Sequence, residues 1–524
     1  MLRRLRTGLA LAILSTIVLL ASPARAQDLT LGTKLELNTL DPHFFASFPT
    51  GSAHQYLYEK LVDYDEKLKL KPALAESWRR IDELTMEFRL RKGVSFHDGS
   101  PFTAADVIFS VERVPNVPNS PNSFAQYTRG IDKVVRIDDH TIQVRTKAPS
   151  PQLMQDLANV FIVSAKAAAG ATTADFNSGK AAIGTGPYKL VSFVNGDRLV
   201  VERNDKYWGG KPQWAKVTER VIGKDAPRLA ALLSGEVDAI DAVPIQDIER
   251  LQRDNKFALY RGPASVIHYI ALDSARDESP NVTAKDGKPL GKNPLKDARV
   301  RKAMSLAINR DVIVKRVMEG SGIAAGQLLP SQFPGTNKSL GPDPFDLPRA
   351  QALLKEAGWA DGFRIVLSAT SDRYPNDSAV AQGVGQMWSR LGLKVEIETL
   401  PGAVFFTKAS KQEFSAFAAQ YGAEDGINST RALVATAIRE KGYGTANRTR
   451  YSNPLVDALV DETLREMNDE ARQEKAGRAV KAAMDDQALI PLFFPMHDFA
   501  AKKSLIVTPR PQRRFNALMI RPAK

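Results

Sequence analysis

The sequence predicts an α/β fold with mixed sheets and more than one hydrophobic core. Its clearest unit is strand–helix–strand: apolar residues alternate over 363–367, recur at helical spacing over 380–391, and alternate again over 393–397. Short joins between these elements imply a parallel crossover connection, which we expect to be right-handed. The chain has 524 residues, more than the roughly 250–300 at which a single core stops growing.

The first 26 residues differ from the rest. Arg3, Arg4 and Arg6 precede an apolar run over 9–21, and a small-x-small pattern ends at Ala26, which predicts a cleaved general-secretion signal over 1–26. The run is shorter than the roughly 20 residues that a membrane helix needs. The chain contains no cysteine, which excludes a cysteine-linked lipid anchor and disulfides. We therefore expect a soluble periplasmic protein that is not a lipoprotein.

The net charge of +13 falls to +9 when the four signal arginines are removed. A basic balance is compatible with binding to nucleic acid or to an anionic membrane. Here lysines and arginines are interleaved with acidic residues and do not alternate with aromatic ones. We interpret the charge as a solvated surface and expect no nucleic acid partner.

Next along the chain, apolar residues alternate with charged ones over 86–91, which predicts a strand with one buried face. Thr103 and Asp106 match a capping box and predict a helix start. His97 and Asp98 lie in the turn between these elements, with no nucleophile or third ligand nearby. We interpret this pair as part of a turn, because catalysis requires further groups.

Later segments add further elements in order. Alternating runs over 134–146 predict a hairpin, and the apolar spacing over 297–308 predicts an amphipathic helix. Asp346 is predicted to cap another helix that ends at Gly358. The segment 273–296, rich in Asp, Lys, Pro, Gly and Asn, is predicted to be a loop.

Motifs for common chemistries are missing from the sequence. The segment 184–187 lacks the second half of a dinucleotide loop, and the chain has no phosphate-binding P-loop. Its six histidines are scattered, and it has no G-x-S-x-G elbow. We therefore predict no catalytic residues, no dedicated metal site and no cofactor.

A family resemblance rests on seven segments. Residues 88–113, FRLRKGVSFHDGSPFTAADVIFSVER, resemble the signature segment of solute-binding protein family 5, the dipeptide/oligopeptide/nickel-type periplasmic binding components of bacterial ABC transporters. Six more segments match in order: LYEKLVDYDEKLKLKPALAESW (57–78), IGTGPYKLVSF (183–193), ERNDKYWGGKP (202–212), SGEVDAIDAVP (234–244), DARVRKAMSLAINRDVI (297–313) and RAQALLKEAGW (349–359).

This resemblance implies a two-lobed periplasmic-binding-protein-like fold, type II and cluster C-like, with mixed sheets and a two-pass hinge. Lobe I would comprise 27–265 plus 492–524, with an extra subdomain inserted over about 57–184, and lobe II would comprise 266–491. The implied hinge residues are Ser265, His268, Tyr269, Pro491 and Phe494.

The resemblance also implies a pole that binds an amine. In peptide-binding members, a Trp and an Asp three residues later line the cleft, and the Asp binds the α-ammonium of the ligand. Here Tyr421 and Glu424 take these places, flanked by Gln420 and Asp425. A carboxylate suits an amine because charge-assisted hydrogen bonds are about twice as strong as neutral ones. The alternative is a solvated acidic loop.

An opposite pole is implied by Arg373 and Tyr374, which follow the first strand of the crossover unit. Relatives place an Arg and a Tyr near the ligand carboxylate, and a guanidinium binds a carboxylate through two hydrogen bonds. The alternative is a surface arginine in a polar loop. By analogy, the first lobe would line the cleft with Asn38, Thr39 and Leu40.

The expected function is capture of a small solute, most plausibly a peptide or peptide-like molecule, by hinge closure. A monomeric receptor would deliver it to the transmembrane subunits of an ABC permease driven by a cytoplasmic ATPase. The alternatives are an exported two-lobed hydrolase and a chemosensory or chaperone-like solute binder outside transport. Relatives bind dipeptides, longer peptides, opines, glutathione-like thiols, sugars or nickel complexes, and the fold does not choose among them.

Overall fold

The computed structural model of the protein describes residues 28–34, 37–45, 48–120, 123–438, 441–512 and 515–523. The predicted export signal over 1–26 lies outside these ranges. Within them, no helix combines the length and apolar character that crossing a membrane requires.

The first third of the chain contains short helices, one strand of the large sheet and three small sheets. Its elements are β1 (Leu29–Thr33), α1 (Phe48–Leu57), β2 (Glu59–Lys60), β3 (Val62–Tyr64), β4 (Leu70–Pro72), β5 (Ala75–Arg80), β6 (Thr85–Leu90), α2 (Ala104–Arg113), α3 (Ala125–Thr128), β7 (Ile131–Asp138), β8 (Thr141–Thr146), α4 (Leu153–Leu157), β9 (Phe161–Ile162), α5 (Ala165–Ala168) and α6 (Thr173–Asn177). β1 belongs to the large sheet, and the small sheets are β2-β9, β3-β4 and β5-β6-β8-β7.

The middle and end of the chain alternate strands with helices. They contain β10 (Tyr188–Val194), β11 (Arg198–Arg203), β12 (Lys216–Val221), α7 (Asp225–Ser234), β13 (Ala239–Ile240), α8 (Ile248–Arg253), β14 (Phe257–Pro263), β15 (Val266–Leu272), β16 (Val282–Thr283), α9 (Ala298–Leu306), α10 (Arg310–Val312), β17 (Gly322–Ala324), α11 (Leu347–Glu356), β18 (Arg364–Thr370), α12 (Asp377–Arg390), β19 (Lys394–Leu400), α13 (Gly402–Ser410), β20 (Ala416–Gly422), α14 (Gly426–Leu433), α15 (Pro454–Arg465), α16 (Asp469–Asp485), β21 (Ile490–Lys502), β22 (Leu505–Val507) and β23 (Ile520–Pro522).

Thirteen of the described strands form one sheet in the order β10-β11-β12-β1-β13-β21-β15-β20-β18-β16, with β14 and β17 on β21 and β19 on β18. Residues 496–502 of β21 pair with β14, whereas its residues 490–495 pair with β15 and β17. We call β10, β11, β12, β1, β13, β14 and residues 496–502 the first half-sheet. The second half-sheet is β15 to β20 with residues 490–495. β21 therefore belongs to both halves.

A second group of elements, which we call the inserted segment after the predicted subdomain over about 57–184, comprises residues 59–162. It contains the four-stranded sheet β5-β6-β8-β7 and its own buried apolar cluster. Three residues from the second half of the chain, Leu329, Phe333 and Ala423, belong to the same cluster. The inserted segment therefore packs against elements that accompany the second half-sheet.

Several local predictions are confirmed. The crossover unit forms β18, α12 and β19, and its strands pair in parallel. The hairpin forms β7 and β8. Thr103 and Asp106 make both hydrogen bonds of the predicted capping box, and Asp346 caps α11 by accepting from the backbone N–H of Arg349.

The His97–Asp98 pair braces a loop. His97 donates from Nε2 to the Gly186 carbonyl at 3.1 Å, and Asp98 accepts from the Ser100 backbone and hydroxyl within the turn. A Cβ atom at Gly184 would lie 1.8 Å from the Leu57 carbonyl oxygen. Glycine is therefore required for this loop to pass the end of α1, which gives the dinucleotide-like segment a structural explanation.

Candidate functional site

Two parallel strands of the second half-sheet end at one edge. β18 and β20 pair in parallel, and antiparallel β15 begins beside the end of β20. Ligands of open α/β sheets bind outside the carboxyl ends of such strands. The structure brings to this edge the predicted residues Arg373, Tyr374, Gln420, Tyr421, Glu424 and Asp425.

The acidic pair at this edge has two different environments. Asp425 is buried and caps α14, accepting a 2.7 Å hydrogen bond from the Asn428 backbone. Burial raises its pKa to about 6, and the neighbouring Glu424 adds to the rise. Glu424 is half-buried and makes no hydrogen bond or ion pair with any other residue that the structure describes. Glu424 is therefore the carboxylate that is available to a ligand.

Tyr421 lies between the inserted segment and the second half-sheet. Its half-buried ring packs against the apolar clusters on both sides. Burial, followed by the Glu424 carboxylate, raises the pKa of Tyr421 to about 12. The phenol therefore stays protonated at neutral pH and is able to donate a hydrogen bond.

Two arginines share one aromatic ring near the same edge. The guanidinium carbons of Arg373 and Arg448 lie 5.6 Å and 5.5 Å from the Phe406 ring centroid. Neither arginine forms an ion pair within the described part of the chain. Two cations held at one ring form a region suited to an anion such as a carboxylate.

Arg448 is absent from the sequence-based prediction. It lies in the polar segment 443–453, which contains one other arginine, Arg450, and no apolar periodicity. Only the packing of this segment beside Phe406 separates Arg448 from its neighbours, so no local sequence signal identifies it.

His268 lies on the opposite face of β15 from Tyr269. Its ring stacks on Phe493 with centroids 4.8 Å apart, and Tyr374 contacts it edge-on at 6.0 Å. Gln420 Nε2 lies 3.3 Å from its Nδ1. Burial lowers the pKa of His268 to about 3, so the imidazole is neutral under physiological conditions.

The other predicted hinge residues lie along the same two strands. The Ser265 N–H donates to the Pro511 carbonyl at 3.0 Å. Tyr269 pairs with Pro491 across the sheet, and Tyr269 and Phe494 belong to one buried apolar cluster. These residues therefore connect β15 with β21, the strand that both half-sheets share.

The structure does not bring the three predicted lobe I residues into this group. Thr39 and Leu40 are 1% and 0% exposed. Both bind Asn177 Oδ1, through the Thr39 hydroxyl at 2.9 Å and the Leu40 N–H at 2.8 Å. Asn38 is exposed beside them. Because Thr39 and Leu40 are buried and paired, we leave these two out of the site proposed below, whereas a ligand contact by the exposed Asn38 stays a prediction.

A metal centre has no support within the described ranges, where no group of three or more His, Asp or Glu side chains is placed to hold an ion. The candidate site instead combines two groups of opposite charge, an acidic pole and a basic pole. Its acidic pole lies beside Tyr421, and its basic pole lies beside Phe406.

The chain resembles known proteins in both sequence and fold. The chain is 29% identical over 462 residues to a glutathione-binding protein, GsiB, of Pectobacterium atrosepticum, covering 86% of this chain and 85% of that one. It is 27% identical over 516 residues to the dipeptide-binding protein of Escherichia coli, with 92% and 91% covered. The structure of HbpA2 from Haemophilus parasuis superposes with a TM-score of 0.81 at 23% identity, covering 95% of this chain and all of that chain.

A family model confirms the resemblance inferred from the seven segments. The model described as "Bacterial extracellular solute-binding proteins, family 5 Middle" matches residues 69–435. The match includes β18, β20 and the acidic pair at the candidate site. The chain is therefore a member of the family 5 bacterial extracellular solute-binding proteins.

Proposed function

We propose that this chain is the periplasmic receptor of an ABC importer and that it captures a peptide or peptide-like solute carrying both an amine and a carboxylate. The observation that carries the proposal is the separation of unpaired charges at one sheet edge. Glu424 lacks a partner at one pole, and Arg373 and Arg448 lack ion-pair partners at the other, within the described residues. The names of the glutathione-binding and dipeptide-binding relatives agree with such a zwitterion.

The amine end of the solute binds Glu424, with Asp425 beside it and Tyr421 packing on the ligand. The carboxylate end binds Arg373 and Arg448. Both interactions are charge-assisted hydrogen bonds, which are about twice as strong as neutral ones. Removal of water from the closed cleft strengthens them further, because the local dielectric constant falls. Gln420 and Tyr374 contact His268 and fix the strand ends on which these charged groups lie.

Closure around the solute occurs at two chain crossings between lobe I (27–265 plus 492–524) and lobe II (266–491). Two features support this division. The chain passes from β14 in the first half-sheet to β15 in the second through residues 264–265. β21 changes partners between residues 495 and 496, which moves the second crossing slightly beyond the predicted boundary at 491–492.

The solute must bind the closed form more tightly than the open form, because equal affinity would leave the equilibrium unchanged. The closed receptor then docks on the permease subunits, which a cytoplasmic ATPase drives, and releases the solute unaltered. The chain acts as a monomer after cleavage of the predicted export signal.

The test begins with mass spectrometry of whatever co-purifies with the protein from its native host, followed by calorimetry and solution scattering. We expect a molecule with a free amine, and a smaller radius of gyration with ligand than without. Glu424→Gln should abolish most of the binding of tri-alanine, whereas Glu413→Gln, an exposed change in the same lobe, should not. A neutral sugar as ligand, or conversion of the ligand to product, would overturn the proposal.

A further inference from the structure

The inserted segment presents a polar helix face to the acidic pole of the site. Asp156 of α4 is close enough to Asp425 and Arg431 for their charges to alter its ionisation. Leu153 and Met154 of the same helix belong to one apolar cluster with Ala423, which immediately precedes the acidic pair. α4 therefore packs beside the amino end of α14.

Three uncharged side chains in this region are buried without partners. Gln152 is 9% exposed, Gln155 8% and Thr128 6%. Both amide atoms of Gln152, Oε1 of Gln155 and the Thr128 hydroxyl have no hydrogen-bond partner among the described residues. Burial of a polar group without a partner costs about 1–3 kcal/mol, so native proteins rarely retain such groups unless something binds them.

The helix geometry directs these groups to one place. Gln152 immediately precedes α4, and Gln155 and Asp156 follow it by three and four residues, the spacing at which side chains on one side of a helical turn are neighbours. Because Asp156 on that side lies beside α14, the two carboxamides point toward the same boundary between the inserted segment and α14.

Asp156 gives this boundary a carboxylate without a partner. Its side chain makes no hydrogen bond to any described residue. Burial raises its pKa to about 7; the Arg431 cation opposes the rise, and the Asp425 carboxylate adds to it to a smaller extent. Burial also raises the pKa of Asp425, to about 6, and Glu424 adds to that rise. A bound ammonium group would pair with these carboxylates and offset the cost of burying their charge.

We propose that Asp156 and the Glu424–Asp425 pair bind the same ammonium group of the solute from opposite sides. The Gln152 and Gln155 carboxamides bind the N–H and C=O of the first peptide group beside it. This assignment rests on the proposed function and narrows it to peptides with an unblocked amino terminus. It also makes the inserted segment part of the specificity site.

The experiment measures dissociation constants of tri-alanine and N-acetyl-tri-alanine by calorimetry. The wild type should bind tri-alanine roughly 10- to 100-fold more tightly than N-acetyl-tri-alanine, a difference that corresponds to one charged hydrogen bond. Asp156→Asn should reduce that preference about 10-fold or more, and Asp156→Glu should restore part of it. Gln152→Leu should weaken the binding of tri-alanine about 10-fold. Asp132→Asn, an exposed change on β7 of the same segment, serves as the control.

The outcomes separate this assignment from the proposed function. If the wild type prefers tri-alanine and Asp156→Asn keeps the full preference, the role of Asp156 is overturned and the peptide receptor stands. If the wild type binds no free-amino peptide from di- to penta-alanine, both are overturned. If Asp156→Asn does not fold, the affinities of Asp156→Glu and Gln152→Leu for tri-alanine are measured in its place. Wild-type affinity for tri-alanine in both variants overturns the assignment.

Discussion

The imidazole of His268 stacks on the ring of Phe493 with centroids 4.8 Å apart. The two residues are paired neighbours on β15 and β21, the strands next to the proposed crossings. A neutral aromatic pair at this position packs without a net charge. We therefore expect this part of the sheet to be sensitive to acid, because protonation of His268 would place an unpaired charge in the interior.

We expect His268→Phe to reduce the acid sensitivity of folding. The folded pKa of about 3 lies below the ordinary 6.5, so the unfolded chain binds the extra proton first and stability falls as pH decreases below 6.5. As pH falls from 6.5 to 4, this residue lowers the free energy of unfolding of the wild type by about 3 kcal/mol. Urea unfolding at several pH values measures the difference, and parallel pH profiles for the two proteins would contradict it.

Glu219→Gln should have the opposite pH signature. Glu219 is buried and accepts a 2.6 Å hydrogen bond from the Tyr56 hydroxyl, and burial raises its pKa to about 8. The folded state holds this proton after the unfolded chain has released it, so its stabilising contribution is complete below pH 4.5 and is lost as pH rises toward 8. Between pH 4.5 and pH 8 the free energy of unfolding falls by about 4 kcal/mol through this group. Urea unfolding of the Gln variant should show a flatter alkaline side, and Glu202→Gln, exposed on β11, is the control.

Gly184→Ala should destabilise the protein strongly. The added methyl group would meet the Leu57 carbonyl oxygen at 1.8 Å and the Tyr58 ring at 2.8 Å, so the backbone of the loop must move. Overpacking of this kind costs about 1–3 kcal/mol or more. Gly130→Ala, where no atom lies within 4 Å of the new Cβ, should leave the urea midpoint near that of the wild type. Equal midpoints for the two variants would contradict the loop geometry.

The basic pole predicts selectivity for a free carboxylate. Arg373→Ala and Arg448→Ala should each weaken the binding of tri-alanine about 10-fold or more. Neither change should noticeably alter the binding of tri-alanine amide, which lacks the free carboxylate. The exposed Arg316→Ala should leave both ligands at wild-type affinity. Calorimetry with the two peptides measures this selectivity. Equal losses for peptide and amide would mean that the arginines act on folding and not on the carboxylate.

Binding of the amine should strengthen as pH rises from 5 to 7. Asp156 and Asp425, with pKa values of about 7 and 6, must lose protons to hold an ammonium group, and the nearby Arg129, Arg431 and Arg472 oppose the rise in these pKa values. We expect affinity for tri-alanine to increase about 10-fold over this range, with proton release that depends on the buffer in calorimetry. A flat profile would show that the two carboxyls are not in contact with the amine.

Local structure followed from the sequence wherever neighbouring residues determine it. The Thr103–Asp106 capping box and the β18–α12–β19 crossover depend on spacing within a few residues, and both are present. Glu424 lies just after β20, the strand end to which both the family resemblance and the strand order point, and its ligand contact stays a prediction. These features need no knowledge of distant packing.

Distant packing accounts for what the sequence did not predict. Thr39 is buried because its partner, Asn177, lies 138 residues away, and no pattern near Thr39 reveals that bond. Arg448 and Asp156 reach the site from a polar segment and a short helix whose own spacing is uninformative. Their roles depend on which surfaces meet in the folded chain.

The strand shared by the two half-sheets has a consequence for how the chain folds. β21 lies at the centre of the strand order, yet β1 to β20 all precede it in the sequence. During synthesis neither half-sheet acquires its central partner until those twenty strands have emerged. Such long-range pairing makes folding slow, and a nascent chain that waits for its last long strand stays open to chaperones throughout its synthesis.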